Sequence, residues 1–165
     1  MTFTKKYKSP LGTLTLASDG ESLTGLWFEG QKHFGRTLCF EAEEKDLQIF
    51  HNTFRWLDVY FGSGRPSFTP RLKLTGTDFQ LKVWDTLQTI PYGKSMTYGE
   101  IAKILAQASG LDKMSAQAVG GAVGKNPIAI IVPCHRVLGA GGKLTGYAAG
   151  IDTKRRLLEL EQCCF

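Results

Sequence analysis

The chain has no C-x-x-C pair, and its three histidines, His33, His51 and His135, are scattered. Structural zinc sites draw on closely spaced Cys and His ligands, so no metal site is expected. Four cysteines occur, Cys39, Cys134, Cys163 and Cys164, and structural disulfides are not expected in a reducing compartment. No cysteine stands four residues from the end, so Cys163-Cys164-Phe165 is not a prenylation box. No apolar run approaches the ~20 residues that span a bilayer. The start, Met1-Thr2-Phe3-Thr4-Lys5-Lys6, lacks a charged region followed by an apolar one, so no signal peptide is expected and a cytoplasmic location follows by default. Neither sign of charge is concentrated. Twenty Lys and Arg face fifteen Asp and Glu, a net charge of +5. Residues 1–75 hold ten basic and eight acidic side chains, and residues 76–165 hold ten and seven. That excludes a basic tail as a binding device, and any footprint for a polyanion must be assembled by folding.

What is present is enough for one domain or two small ones: 165 residues, 42% hydrophobic. Residues 1–30 read as antiparallel strands. Thr13-Leu14-Thr15-Leu16 alternates, between turn signals at Ser9-Pro10-Leu11-Gly12 and Ser18-Asp19-Gly20-Glu21. Residues 41–61 read as a helix, with Leu47, Phe50, Phe54, Leu57 and Phe61 on one face and Glu41, Glu43 and Glu44 at its N-terminus. Gly62-Ser63-Gly64-Arg65-Pro66 ends it, and Pro70-Arg71-Leu72-Lys73-Leu74 alternates as a short strand would. Thr75-Gly76-Thr77-Asp78 reads as a linker and cap. The expected fold class is α/β, of the α+β kind: a sheet-and-helix domain over 1–75 and a mostly helical domain over 76–165.

In that second domain Asp78 is expected to cap a helix carrying Phe79, Val83, Trp84, Leu87 and Ile90, stopped by Pro91-Tyr92-Gly93. Thr97-x-x-Glu100 is a capping box ahead of Ile101, Ile104 and Leu105. A turn through Ala108-Ser109-Gly110-Leu111 leads to Ser115, the cap of a third helix. Two short helices about a Gly-containing turn suggest helix-turn-helix. In the third helix Val119, Ala122 and Val123 face the core, which leaves Gln117, Gly120, Gly121 and Gly124 on a face almost bare of side chains. A glycine costs ~1 kcal/mol against alanine inside a helix, so something must come close. A DNA minor groove only ~6 Å wide and a tightly packed second helix both fit.

Ile128 to Val132 reads as a buried strand that ends at Pro133 and delivers Cys134 and His135. A thiol is a strong nucleophile only as thiolate, and its free pKa is ~8.5. An adjacent imidazole, directly or through a water, is a common activator. The alternative is a small buried hydrophobe beside a hydrogen-bonded histidine. Gly139-Ala140-Gly141-Gly142 reads as a flexible turn, and Gly146-Tyr147-Ala148-Ala149-Gly150 as a loop of small residues around one aromatic. A last helix starts near Asp152 and puts Lys154, Leu157, Leu158 and Glu161 on one face. A carboxylate aimed at the core needs a partner. If His135 is that partner, a Cys134–His135–Glu161 relay follows, with Glu161 holding the imidazole tautomer. A frayed end with Glu161 in water is the other reading.

Pro133-Cys134-His135-Arg136-Val137 closely resembles the active-site motif of the O6-alkylguanine-DNA alkyltransferases, or methylated-DNA–protein-cysteine methyltransferases. Further blocks are similar to that family in order. They are Thr77-Asp78-Phe79-Gln80, Val83-Trp84, Ile90-Pro91-Tyr92-Gly93, Thr97-Tyr98-Gly99-Glu100-Ile101-Ala102, Ala118-Val119-Gly120-Gly121-Ala122, Asn126-Pro127 and Gly146-Tyr147-Ala148. The N-terminal part resembles it only in Ser9-Pro10-Leu11-Gly12. The resemblance implies a monomeric DNA repair protein whose second domain is a winged-helix-like helix-turn-helix unit. Its partner would be double-stranded DNA, with no membrane. An alkyl group would pass once, from O6-alkylguanine or O4-alkylthymine, to Cys134, after the base is flipped out through the minor groove. The DNA is itself the alkyl donor, so no cofactor is implied.

By the same resemblance His135 would act as base through a water and Glu161 would orient it. Tyr98 would donate a hydrogen bond to the departing guanine, and Asn126 would brace the turn after the recognition helix. Tyr147 and the backbone of Ala148 would line the pocket around O6, and the backbone near Cys134 and Val137 would read the guanine amine. Ser115, Ala116, Gln117, Gly120 and Gly121 would meet the DNA. The chain departs from the family pattern in places. Gln117 stands where many members carry the arginine that replaces the flipped base. Ala149 stands where many have glycine, and Ala148 where some have serine. The zinc ligands of some relatives are absent. Three rivals remain. An alkyltransferase-like protein that binds without repairing would lack the cysteine. A cysteine hydrolase would turn over. A helix-turn-helix regulator would keep its function without Cys134.

Overall fold

The computed structural model describes residues 1–38 and 41–163; Cys39 and Cys164 lie outside them. The chain divides into two compact units, Met1–Thr75 with Pro127–Ala129, and Gly76–Asn126 with Ile130–Phe165.

The first unit is built on β1 (Thr2–Ser9), β2 (Gly12–Ser18), β3 (Leu23–Phe28) and β4 (Ala42–Glu44), followed by α1 (Gln48–Phe61). The sheet order is β3-β2-β1-β4. The β1–β2 and β2–β3 pairs are antiparallel. The expected helix over 41–61 is corrected at its start. Ala42–Glu44 add a short parallel strand to β1, and Lys45 N–H continues the pairing to the Thr4 carbonyl. Acidic side chains on an outer strand blunt an otherwise open sheet edge, which is the physical use of Glu43 and Glu44 there. Asp46 then ties sheet to helix, accepting from Lys5 at 2.6 Å and meeting His51 at 3.0 Å. The helix buries Ile49, Phe50, Thr53, Trp56, Leu57 and Tyr60, so its apolar face is turned from the one expected. Leu47 becomes the cap, and Phe54 and Phe61 sit at the margin against the Tyr7 ring.

The outer edge of β3 is closed by two segments that are not strands. Leu23 exchanges hydrogen bonds with Arg71 and Lys73, and Leu26 with Pro127 and Ala129. Residues 70–74 therefore make one bridge, at Leu72, rather than the short strand their alternation predicts. Inside β3 a Cβ on Gly25 would stand 2.0 Å from the Trp27 ring, so only glycine lets the indole fold back over the strand.

The second unit holds α2 (Asp78–Leu87), β5 (Met96–Thr97), α3 (Tyr98–Ala108), α4 (Ala116–Gly124), β6 (Val137–Leu138) and α5 (Ile151–Leu160). Thr77, one residue before the expected Asp78, caps α2 through a capping box with Gln80. Thr97 and Glu100 form the expected box on α3, and Ser115 caps α4 through the Ala118 N–H. Helices α2, α3 and α4 pack together, and the Trp84 indole N–H donates to the Ala122 carbonyl at 2.9 Å. β5 and β6 pair in parallel, Met96 with Val137 and Thr97 with Leu138. The strand expected over 128–132 is absent. Ile128 makes a single bridge and the backbone then turns, with Ile130 in the left-handed region at φ 68°. A β-branched residue there costs of order 1–3 kcal/mol and persists only where its surroundings hold it. Here the Asn126 side chain holds the turn, donating to the Val132 carbonyl at 2.8 Å.

Candidate active site

Cys134 opens a short 3₁₀ turn, Cys134–Arg136, that follows Pro133 directly. Its thiol is buried, and the Asn126 Nδ2–H donates to its sulfur at 3.2 Å. Asn126 thus spends one N–H on the turn and the other on the nucleophile. His135 and Glu161 are both buried, and the imidazole Nε2 lies 2.5 Å from Glu161 Oε2. The other carboxylate oxygen accepts from Arg136 Nε at 2.8 Å and from the Gly93 backbone N–H at 3.0 Å. Arg136 is held in turn by the Ile90 carbonyl at 2.7 Å and lies against the Tyr92 ring. Glu161 sits at the C-terminal end of α5, where the helix dipole disfavours an anion. Three donors converging on the carboxylate offset that.

Burial pushes the Cys134 thiol up, against the opposing pull of Asn126, Lys154 and Tyr147. The resting nucleophile is therefore a thiol. Burial also pushes His135 down, more than the Glu161 carboxylate pulls it up, so the resting imidazole is neutral. Burial would raise Glu161, but the hydrogen bonds and charges of His135 and Arg136 outweigh it and hold the carboxyl well below its usual range. With the Nε2 proton given to Glu161, Nδ1 is the basic position of the ring.

These directions set an acid limit on stability. Below its ordinary 6.5, His135 takes up a proton more readily unfolded than folded, and below 4.5 Glu161 does the same. Where the unfolded chain binds more protons, stability rises with pH and is lost as pH drops. The melting temperature is expected to decline from about pH 6.5 downward. A flat profile to pH 5 would show that His135 is not a buried neutral imidazole.

The comparisons with known proteins agree in kind. Residues 78–163 match the family described as 6-O-methylguanine DNA methyltransferase, DNA binding domain, and residues 3–74 match its ribonuclease-like domain. A methylated-DNA–protein-cysteine methyltransferase of Methanosarcina acetivorans is 45% identical over 159 residues, covering 96% of this chain and 97% of that one. One from Mycobacterium bovis is 49% identical over 154 residues, covering 93% and 88%. The crystal structure of Mycobacterium tuberculosis OGT in complex with DNA is 46% identical, with a TM-score of 0.85, over 97% of this chain and 92% of that chain. The chain belongs to the 6-O-methylguanine DNA methyltransferase family.

Around the cysteine of this methyltransferase the structure gathers Asn126, His135, Glu161 and Tyr147, whose hydroxyl is buried and helps to hold the thiol pKa down. Tyr98, the first residue of α3, joins the same neighbourhood, with the Thr145 hydroxyl at 3.5 Å from its own. Burial pushes the Tyr98 phenol up, so it stays a donor. Val137 is buried in β6, and Ala148 lies half-buried in the loop before α5. Ser115, the cap of α4, and Ala116, Gln117 and Gly121 within the helix are exposed. Gly120 is different: a Cβ on it would meet the Tyr98 ring at 3.7 Å, so it packs inward. Two side chains were given no role by sequence reasoning. Arg136 sits inside the quoted motif, a fixed cation in an apolar segment that needed an anion. Lys154 lies on the buried face of α5, where helical spacing predicts it. Cys163 packs with Leu138, Leu158 and Leu144.

Proposed function

We propose that Cys134 takes the alkyl group from O6 of a flipped alkylguanine in duplex DNA, with O4-alkylthymine as a second lesion, and is consumed in doing so. The observation that carries this is a buried thiol bonded to Asn126 with a His135–Glu161–Arg136 chain beside it, in a chain of this family. The sulfur–carbon bond forms as the O6–carbon bond breaks. The thiol proton passes to His135 Nδ1 through a water, and Glu161 stabilises the imidazolium. The Tyr98 hydroxyl supports the guanine as it takes the bonding electron pair. Asn126 holds the sulfur in line, and Tyr147 with Ala148 shapes the pocket around the alkyl oxygen.

The α4 face is the minor-groove reader. Ser115, Ala116, Gln117 and Gly121 supply a surface low enough for close approach, and Gln117 fills the space of the flipped base without a positive charge. The backbone at Cys134 and Val137 reads the guanine amine. Among the described residues no helix is long and apolar enough to cross a membrane. We place the protein in the cytoplasm as a monomer, where the Cys134 and Cys163 side chains stay reduced thiols. The test is mass spectrometry after incubation with a duplex holding one O6-methylguanine. One methyl is expected on the Cys134 peptide per lesion removed. An unmodified Cys134 beside an intact lesion would sink the proposal.

A further inference from the structure

A second cation is buried in this unit and takes no part in the scheme above. Lys154, on α5, is 0% exposed. No carboxylate pairs with it among the described residues. Its Nζ donates to the Thr145 carbonyl at 3.4 Å and lies 5.9 Å from the centre of the Tyr98 ring. An ammonium removed from water without an anion is costly. Each of its contacts belongs to the pocket. Thr145 leads into the loop that carries Tyr147 and Ala148, and its hydroxyl donates toward Tyr98.

We propose that Lys154 is a positioning residue for alkyl transfer, its ammonium serving as the counter-charge under which the Cys134 thiolate forms while it fixes Thr145 and Tyr98 as the pocket wall. This rests on Cys134 as the acceptor. The other cation near the nucleophile is already committed, because Arg136 is paired with Glu161. The resting imidazole is neutral. Of the groups that act on the Cys134 thiol, Lys154 is the one that carries positive charge. Burial in turn pulls Lys154 down to about 8, and Cys134 opposes that shift. The Tyr98 ring on α3 faces it, and the charge of Lys154 acts on Cys134 and His135 of the 3₁₀ turn. On α5 itself Glu161 is held by His135 and Arg136, and Asp152 is paired outside with Arg155.

The pH profile of transfer then has two limbs. The thiolate–ammonium pair is most populated between the two titrations, so the rate rises up to about pH 8 and falls only at higher pH, once both protons have left. The experiment measures single-turnover transfer from pH 6 to 10 and, separately and without DNA, the pH dependence of Cys134 alkylation by iodoacetamide. In Lys154→Met, transfer is expected to slow about tenfold or more, the iodoacetamide titration to move up by roughly one pH unit, and the falling limb to vanish. Lys154→Arg should keep the charge at high pH and lose only the falling limb. An unchanged thiol titration and an unchanged profile in Lys154→Met would overturn the proposal and leave Lys154 a packing residue. If Lys154→Met does not fold, the wild-type chain decides. The side-chain nitrogen of Lys154 is titrated by NMR before and after Cys134 is methylated. A lower apparent pKa in the thioether form is expected, and equal values would overturn it. If DNA leaves Cys134 unmethylated, it is the acceptor reading that fails, and the iodoacetamide titration still reports on Lys154.

Discussion

Replacing Cys134 with serine is expected to leave alkylated duplex DNA bound and unrepaired. The side chains differ by one atom and the pocket keeps its shape. Asn126 Nδ2 can still donate to the new oxygen, and the exposed face of α4 is untouched. What changes is the nucleophile. Burial already holds the Cys134 thiol protonated at rest. A hydroxyl starts far higher and gains no comparable relief from Asn126, Lys154 and a neutral His135. Loss of a sole nucleophile costs on the order of 10⁴-fold or more in rate. Gel-shift binding and lesion removal, measured on the same preparation, separate the rivals. A helix-turn-helix regulator keeps all its function in Cys134→Ser, and a cysteine hydrolase shows no stoichiometric DNA product even as wild type. Measurable transfer by Cys134→Ser would remove Cys134 as acceptor.

The parts of this site that were legible in sequence are those written locally. Capping boxes are sequence patterns of four residues, and Thr97–Glu100 folds as read. Helical spacing put Lys154, Leu157, Leu158 and Glu161 on one buried face before any partner was known. The demand that a buried carboxylate find a cation or donor led to His135. The same demand, applied to the cations, would have led to Arg136 and left Lys154 standing as a question. Burial without periodicity was not legible. Ile128 to Val132 is apolar and β-branched, as a strand would be, yet the chain turns at Ile130. The turn exists because Asn126 and the Val132 carbonyl replace a ladder, a tertiary hydrogen bond that no local pattern encodes. Residues 42–44 failed for a related reason. Three carboxylates ahead of an apolar repeat are a good helix start, and pairing with β1 overrides it.

The Glu161 carboxylate accepts on both sides, and this makes Glu161→Gln informative in spite of its small volume change. One oxygen takes the His135 Nε2–H, and the other takes Arg136 and Gly93. A glutamine has one acceptor. Turned toward His135, it sets an NH₂ against two donors; turned toward Arg136, it sets the NH₂ against the imidazole N–H. Either way Arg136, buried and permanently charged, loses its anion. Breaking a buried pair by removing one partner costs about 3–5 kcal/mol, which for a chain of this size lowers the melting temperature by roughly 10 °C. Transfer should also slow, because the imidazolium formed on deprotonating Cys134 has no carboxylate to meet it. The double variant Glu161→Gln with Arg136→Met separates the two effects. Removing the stranded cation is expected to restore part of the stability and none of the rate. If stability and rate return together, Glu161 acts only by holding the fold. If Glu161→Gln transfers at the wild-type rate, it has no part in the relay.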